Sequence, residues 1–300
     1  MIQARRIGHA NFETPDLDRA IDYYTQVNGL VLAEREPGRA FLASKIGQLV
    51  VRLDEGSNAQ CTGLSFEVAP NADFAAMSRQ LYEEGIDNEL SNDSIPGVGK
   101  VLKFKDPKGT TIELFSEWNY LGKHHQVIGV GPLKLGHVAF IVDDARKVTE
   151  FYTKVLGFRV SDWVEDFFSF LRCGPDHHTV NFLTGKKTQM HHIAFEVKDF
   201  SHIQNACELF GQKSIPIVWG PLRHSGPGHN VSTYHHNPDS HMVEFYTELD
   251  QMKDEQLGYF EPRPWHHDTP QRPKVWQKDT RRGGWGPPPT EEYIRSSRPQ

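Results

Sequence analysis

The chain repeats itself, and the repeat sets its architecture. Arg6-Ile7-Gly8-His9-Ala10-Asn11-Phe12 returns as Lys134-Leu135-Gly136-His137-Val138-Ala139-Phe140, so that His9 and His137 stand 128 positions apart. The segment Asp18 to Leu30 has its counterpart in Ala145 to Phe158. Gly63-Leu64-Ser65-Phe66-Glu67-Val68 matches His192-Ile193-Ala194-Phe195-Glu196-Val197, and Thr111-Ile112-Glu113-Leu114-Phe115 matches Met242-Val243-Glu244-Phe245-Tyr246. Two domains of one plan in tandem are the simplest reading. They are expected at 1–121 and 132–249, with a seam near 120–134 where Gly122, Gly129, Gly131 and Pro132 interrupt the pattern. A tail over 250–300 is rich in proline and carries Trp265, Trp276 and Trp285, which predicts an extension packed along the body.

Each domain reads as strand, helix, then several strands. Asp144 is placed to cap a helix that runs to Leu156 and stops at Gly157. Val148, Phe151, Tyr152 and Val155 fall at helical spacing, so one face would lie on a sheet. Short runs rich in β-branched and aromatic residues, such as Thr179 to Leu183 and Val231 to Tyr234, read as strands. The expected class is α+β, with antiparallel sheets backed by helices on one face.

Composition removes several function classes. A net charge of −6, with Lys and Arg scattered, gives no nucleic-acid footprint. No apolar run approaches the ~18 residues of a membrane span, and the N-terminus lacks the apolar core of a secretory signal. Cys61, Cys173 and Cys207 are odd in number and far apart, which argues against a disulfide framework and for the cytoplasm. Sixteen histidines raise the expectation of metal chemistry without locating it.

The repeat locates it. His137, His192 and Glu244 each sit in an apolar run that reads as a strand. Two imidazoles and one carboxylate form the 2-His-1-carboxylate facial triad, which leaves positions open and favours Fe(II), with Mn(II) as substitute. One shared metal would satisfy three buried polar side chains at once. His192 is chosen over His191 because His137 and His192 both precede an aliphatic-Ala-Phe run; alternation then points His191 the other way. The first domain keeps His9 and Glu113 but has Gly63 in the place of His192, so its site is incomplete.

These modules, with the residues between them, resemble the type I extradiol ring-cleavage dioxygenases of the vicinal oxygen chelate superfamily over roughly residues 5–248. Leu257 to Trp276 is similar to the homoprotocatechuate 2,3-dioxygenase branch. The resemblance implies paired βαβββ modules, two per domain, and a metal in the C-terminal domain only. It also implies that a catechol-type substrate and O2 meet at Fe(II) or Mn(II), giving a muconic semialdehyde-type product in aromatic catabolism. Relatives are commonly homo-oligomers, which implies a dimer or tetramer.

By the same resemblance His178 is the acid/base, its neighbour His177 a surface residue, and Tyr234 the donor to a substrate oxygen. His224, in Gly220-Pro221-Leu222-Arg223-His224, matches the pocket histidine of that branch. The loop is one residue longer here, so His229 competes with His224 for the role. Arg223 and Trp219 complete the expected substrate contacts. Relatives that take carboxylated catechols carry an Arg where this chain has Trp219, which favours a neutral or aromatic ring substituent. Competing readings are a 4-hydroxyphenylpyruvate-type dioxygenase, a glyoxalase-type lyase and a metal-free binding or resistance protein of the same superfamily. The Tyr234–His178 pair opposes the first, the carboxylate-poor ligand set the second, and the intact triad the third.

Overall fold

The computed structural model describes residues 2–122, 128–277 and 284–297, so that 123–127, within the seam, lie outside the described residues. The first βαβββ module comprises β1 (Arg6–Thr14), α1 (Leu17–Tyr23, prolonged by a π-helical turn over Tyr24–Asn28), β2 (Val31–Glu36), β3 (Arg39–Ala43) and β4 (Leu49–Glu55). The second is β5 (Gln60–Glu67), α2 (Phe74–Glu83), β6 (Asn88–Ile95), β7 (Val98–Lys105) and β8 (Thr111–Phe115). The third is β9 (Lys134–Val142), α3 (Ala145–Lys154), β10 (Arg159–Val164), β11 (Phe168–Arg172) and β12 (Val180–Thr184). The fourth is β13 (Gln189–Glu196), α4 (Phe200–Gln212), β14 (Trp219–Arg223), β15 (Val231–His236) and β16 (Met242–Thr247). The tail adds β17 (Lys274–Trp276) and α5 (Glu291–Ser297).

One capping device starts all four module helices. Asp16, Asp73, Asp144 and Asp199 each accept a hydrogen bond from a backbone N–H in the first turn, at 3.0 to 3.1 Å. An Asp at this position satisfies a donor that the helix itself cannot.

The two sheets share one order. The first runs β2-β3-β4-β1-β5-β8-β7-β6, and the second repeats it as β10-β11-β12-β9-β13-β16-β15-β14, with β17 added beside β10. The sheets are mixed rather than antiparallel as expected. In each module three strands form an antiparallel meander, and the last returns to lie parallel to the first, as β4 does on β1 and β16 on β13. The helix between first and second strands supplies the crossover that a parallel pair needs.

The domains exchange turns across their interface. From the first, Lys108 pairs with Asp106 with both side chains wholly buried, and Tyr152 of α3 donates its hydroxyl to Asp106 at 2.9 Å. From the second, Asp239 pairs with Arg19 of α1 at 3.2 Å and the His241 ring lies 5.3 Å from that of Phe12. His235 meets the hydroxyl of Tyr23 at 2.6 Å. Accordingly one apolar core runs through both domains, from Phe12 and Phe66 to Tyr152, Phe195 and Phe245. No helix among the described residues is long and apolar enough to cross a membrane.

Candidate metal centre

Three neighbouring strands of the second sheet, β9, β13 and β16, carry His137, His192 and Glu244 to one point. The atoms His137 Nε2, His192 Nε2 and Glu244 Oε2 form a nearly equilateral triangle with edges of 3.1, 3.1 and 3.2 Å. All three side chains are buried. Hydrogen bonds alone cannot satisfy this triangle. A carboxylate oxygen only accepts and a neutral imidazole offers one N–H; whichever nitrogens carry protons, at least one edge sets two donors or two acceptors face to face. A cation at the centre of three lone pairs removes the conflict. Edges near 3.1 Å are those of an octahedral face with metal–ligand bonds of about 2.2 Å, the facial arrangement open to further ligands.

The charges suit such an ion. Burial opposes ionisation of Glu244, but His137 and then His192 outweigh it and hold the carboxyl well below the ordinary value. Burial pushes the His137 imidazole down against the pull of Glu244, keeping it neutral. A deprotonated carboxylate with a neutral imidazole is the state a metal binds. The other oxygen of Glu244 is held by Asn230 Nδ2 at 2.8 Å and Ser232 Oγ at 2.5 Å. Both residues were missed in the sequence. The signal was present, because Asn230, Ser232 and Tyr234 alternate and so share one face of a buried strand.

Gly136, beside His137, has a steric reason. A Cβ there would collide with the hydroxyl of Tyr246, which crosses the strand at that point. His191 departs from the expected alternation. The pairing of β13 with β9 shifts between Met190 and His192, and His191 Nδ1 lies 2.6 Å from His192 Nδ1. A bulge of this kind re-aims a side chain, so the two rings meet edge-on instead of pointing to opposite faces.

The equivalent place in the first sheet is filled with protein. His9 Nε2 lies 2.9 Å from Glu113 Oε2, and Asn11 Nδ2 donates to the same oxygen at 3.1 Å. Arg52 reaches the other oxygen at 3.4 Å. A Cβ on Gly63 would meet the Asn11 amide at 2.7 Å, so Asn11 occupies the space a third ligand would need. Burial opposes ionisation of Glu113, yet His9, Arg52 and Asn11 outweigh it and hold its pKa at about 2. Strand register identifies the counterparts. Asn11 pairs with Arg52 as Ala139 pairs with Asn181, and Lys103 stands opposite Glu113 as Tyr234 stands opposite Glu244.

Around the triangle the expected residues divide. The His178 ring lies 4.3 Å from that of His137, edge-on. Tyr234 faces His192 at 5.8 Å and meets His224 Nε2 through its hydroxyl at 2.9 Å. Burial, then the Glu244 charge, pushes the Tyr234 phenol well above its ordinary value and keeps its proton in place. Trp219 stacks on Tyr234 at 5.4 Å and also meets Tyr293 of α5 at 4.4 Å.

Three expectations need correction. His177 is not at the surface: it is 1% exposed, with Nε2 2.9 Å from Asp162 and Nδ1 2.9 Å from His178 Nδ1. The tail covers it, since Trp276 of β17 donates to the same Asp162 oxygen at 2.7 Å. His229 is turned toward Asp250 at 2.7 Å, not to Tyr234. Arg223 is engaged by Glu248 at 2.5 Å, by the His229 carbonyl at 2.9 Å and by the Trp265 ring at 3.8 Å, so its charge is already paired within the protein.

His229, Asp250 and His266 form a second group of metal-ligand type. Its contacts, however, are 2.7 and 2.8 Å and run to different oxygens of Asp250. That is hydrogen-bond geometry, and the group ties the tail to the loop before β15.

The model of the glyoxalase/bleomycin resistance protein/dioxygenase superfamily matches residues 6–114 and 134–249. The chain is 30% identical to 2,2',3-trihydroxybiphenyl dioxygenase of Sphingomonas paucimobilis over 245 residues, covering 75% of this chain and 82% of that protein. It is 23% identical to metapyrocatechase of Pseudomonas sp. (strain CF600), over 80% of this chain and 85% of that protein. Homoprotocatechuate 2,3-dioxygenase of Brevibacterium fuscum superposes with a TM-score of 0.79 at 23% identity, covering 98% and 92% of the two chains. Both iron-dependent and manganese-dependent dioxygenases occur among the relatives.

Proposed function

The chain belongs to the glyoxalase/bleomycin resistance protein/dioxygenase superfamily, and from that premise we propose that it is an extradiol ring-cleaving dioxygenase of catechol-type substrates in aromatic catabolism. The observation that carries this is the triangle of His137, His192 and Glu244, which hydrogen bonds cannot satisfy and a facially bound cation can. Those three residues would hold Fe(II), with Mn(II) as substitute. When bound, such an ion would supply Lewis-acid binding of the diol and a path for electrons between substrate and dioxygen.

The protein's own residues do the rest. His178, beside the triangle, takes the proton of a substrate hydroxyl and returns it later, as general base and then acid. Tyr234, kept protonated, donates a hydrogen bond to the substrate oxygen. His224 holds the Tyr234 hydroxyl in place. Trp219 and Tyr293 form an aromatic wall on the far side of Tyr234, which suits a neutral or aromatic ring substituent. Both atoms of dioxygen end in the product, a muconic semialdehyde-type compound. We place the enzyme in the cytoplasm as a homo-oligomer, a dimer or tetramer.

The test is direct. Protein reconstituted anaerobically with Fe(II) is given catechol and alkyl- and aryl-substituted catechols, and a yellow product with stoichiometric oxygen uptake is expected. Bound iron without ring cleavage across that panel would overturn the assignment.

A further inference from the structure

We propose that His177 and Asp162 are positioning residues that lock the imidazole of His178 in the tautomer with its proton on Nδ1 and its Nε2 bare. This deepens the role given to His178 above and rests on that reading for its use in turnover. The tautomer itself follows from hydrogen bonds that lie behind the metal triangle, under the tail.

The chain of contacts starts at donors whose identity is not in question. Trp276 Nε1–H reaches Asp162 Oδ2 at 2.7 Å, and the backbone N–H of Lys274 reaches Oδ1 at 2.8 Å. Asp162 is 2% exposed and held by two fixed N–H groups, so it acts as an acceptor. His177 Nε2, 2.9 Å from Oδ2, must then carry its proton. With His177 neutral, which is part of what we propose, only a lone pair is left at its Nδ1, and that atom lies 2.9 Å from His178 Nδ1. Of two nitrogens in contact, one donates and the other accepts, so the proton of His178 sits on Nδ1. His178 Nε2, on the opposite edge of the ring, has no protein partner among the described residues.

Isolated histidine prefers its proton on Nε2, the form in which that atom cannot accept another. The arrangement reverses this preference at the one imidazole that meets substrate, as a carboxylate fixes the tautomer of a base in other acid–base sites. The tail takes part, because Trp276 and Lys274 of β17 supply the donors that orient Asp162.

Nitrogen-15 NMR on histidine-labelled full-length protein, with Zn(II) as a diamagnetic occupant of the site, reads the tautomer without turnover. His178 should show a protonated Nδ1 and a bare Nε2, its signals assigned by their loss in His178→Gln. In His177→Phe, which offers no acceptor, the proton should move toward Nε2 and kcat fall about 10²-fold, with KM nearly unchanged. His177→Asn, whose side-chain oxygen can accept from Nδ1–H, should restore both. A protonated Nε2 in the unaltered protein, or an identical pattern in His177→Phe, would overturn the proposal. If His177→Phe does not fold, the spectrum of the unaltered protein and that of His177→Asn still decide. A bare Nε2 in a protein that cleaves no diol would remove the function and leave the tautomer lock standing.

Discussion

Arg52 Nη1 lies 3.4 Å from Glu113 Oε1, so the carboxylate of the first sheet already has a cation of its own. Its counterpart by register in the second sheet is Asn181, which carries no charge. The duplicated plan therefore contains one carboxylate neutralised from within and one, Glu244, left for a metal.

From this contrast, Glu244→Ala should abolish iron binding and ring cleavage together. Glu113→Ala should keep one iron per chain and most activity, but lose stability by about 3 kcal/mol, because His9 and the partly buried Arg52 are left without their partner. Iron content by mass spectrometry and thermal unfolding check both halves. Equal iron loss in the two variants would contradict a single site per chain.

Asn230 and Ser232 hold the oxygen of Glu244 that the triangle does not use. Ser232→Ala should weaken Fe(II) affinity about 10- to 100-fold, the usual effect of losing a residue that orients a metal ligand. The double change with Asn230→Ala should weaken it further. Competition with a chelator measures both. Unchanged affinity in the double variant would show that Glu244 needs no such support.

Tyr234 and His224 share one hydrogen bond, so their effects should not add. Tyr234→Phe is expected to lower kcat by about 10²-fold. His224→Gln should cost nearly as much, and the pair together little more than either. A double-mutant cycle on kcat/KM provides the measurement, and strictly additive losses would separate the two roles.

Acid should loosen the interface between domains before it reaches the carboxylates. Burial, reinforced by His236, holds His235 at about 3, against about 6.5 in an unfolded chain. Between those values the unfolded state binds a proton that the folded state refuses. This share of stability is whole above pH ~6.5 and is lost as pH falls toward ~3, by up to about 1.4 kcal/mol per pH unit. Glu113 and Asp250, each held at about 2, add their own loss only below their ordinary carboxylate values. The urea midpoint should fall less between pH 7 and pH 5 in His235→Gln than in the unaltered protein. Identical falls would mean that His235 is not the group responsible.

The module plan and the grouping of His137, His192 and Glu244 were legible because the chain carries two copies of one plan, whereas the parallel pairing within each module was not. Comparing Gly63 with His192 sets the two copies apart at the one place where their candidate ligand sets differ. What lay beyond reach depends on contacts with no local pattern. Asp162 meets His177 from 15 positions away and Trp276 from 114, so His177 could be read only as an ordinary loop residue. Arg52 acquires meaning only when β4 pairs with β1, since nothing near it in sequence resembles a metal site. His191 was misplaced for a different reason: a bulge breaks strict alternation, and a bulge leaves little trace in residue type. The choice between His224 and His229 turned on loop length, and spacing alone could not show that His224 meets Tyr234 while His229 meets Asp250.

The exchanged turns carry a consequence for how such a chain can be divided. Asp106 and Lys108 fill a space beside Tyr152, and Asp239 and His241 rest on the helix and strand that hold Arg19 and Phe12. A gene cut at the seam would yield two fragments, each with a notch shaped for its sibling and a protruding hook with nowhere to go. The two copies of one unit are thus joined by contacts that neither would keep alone.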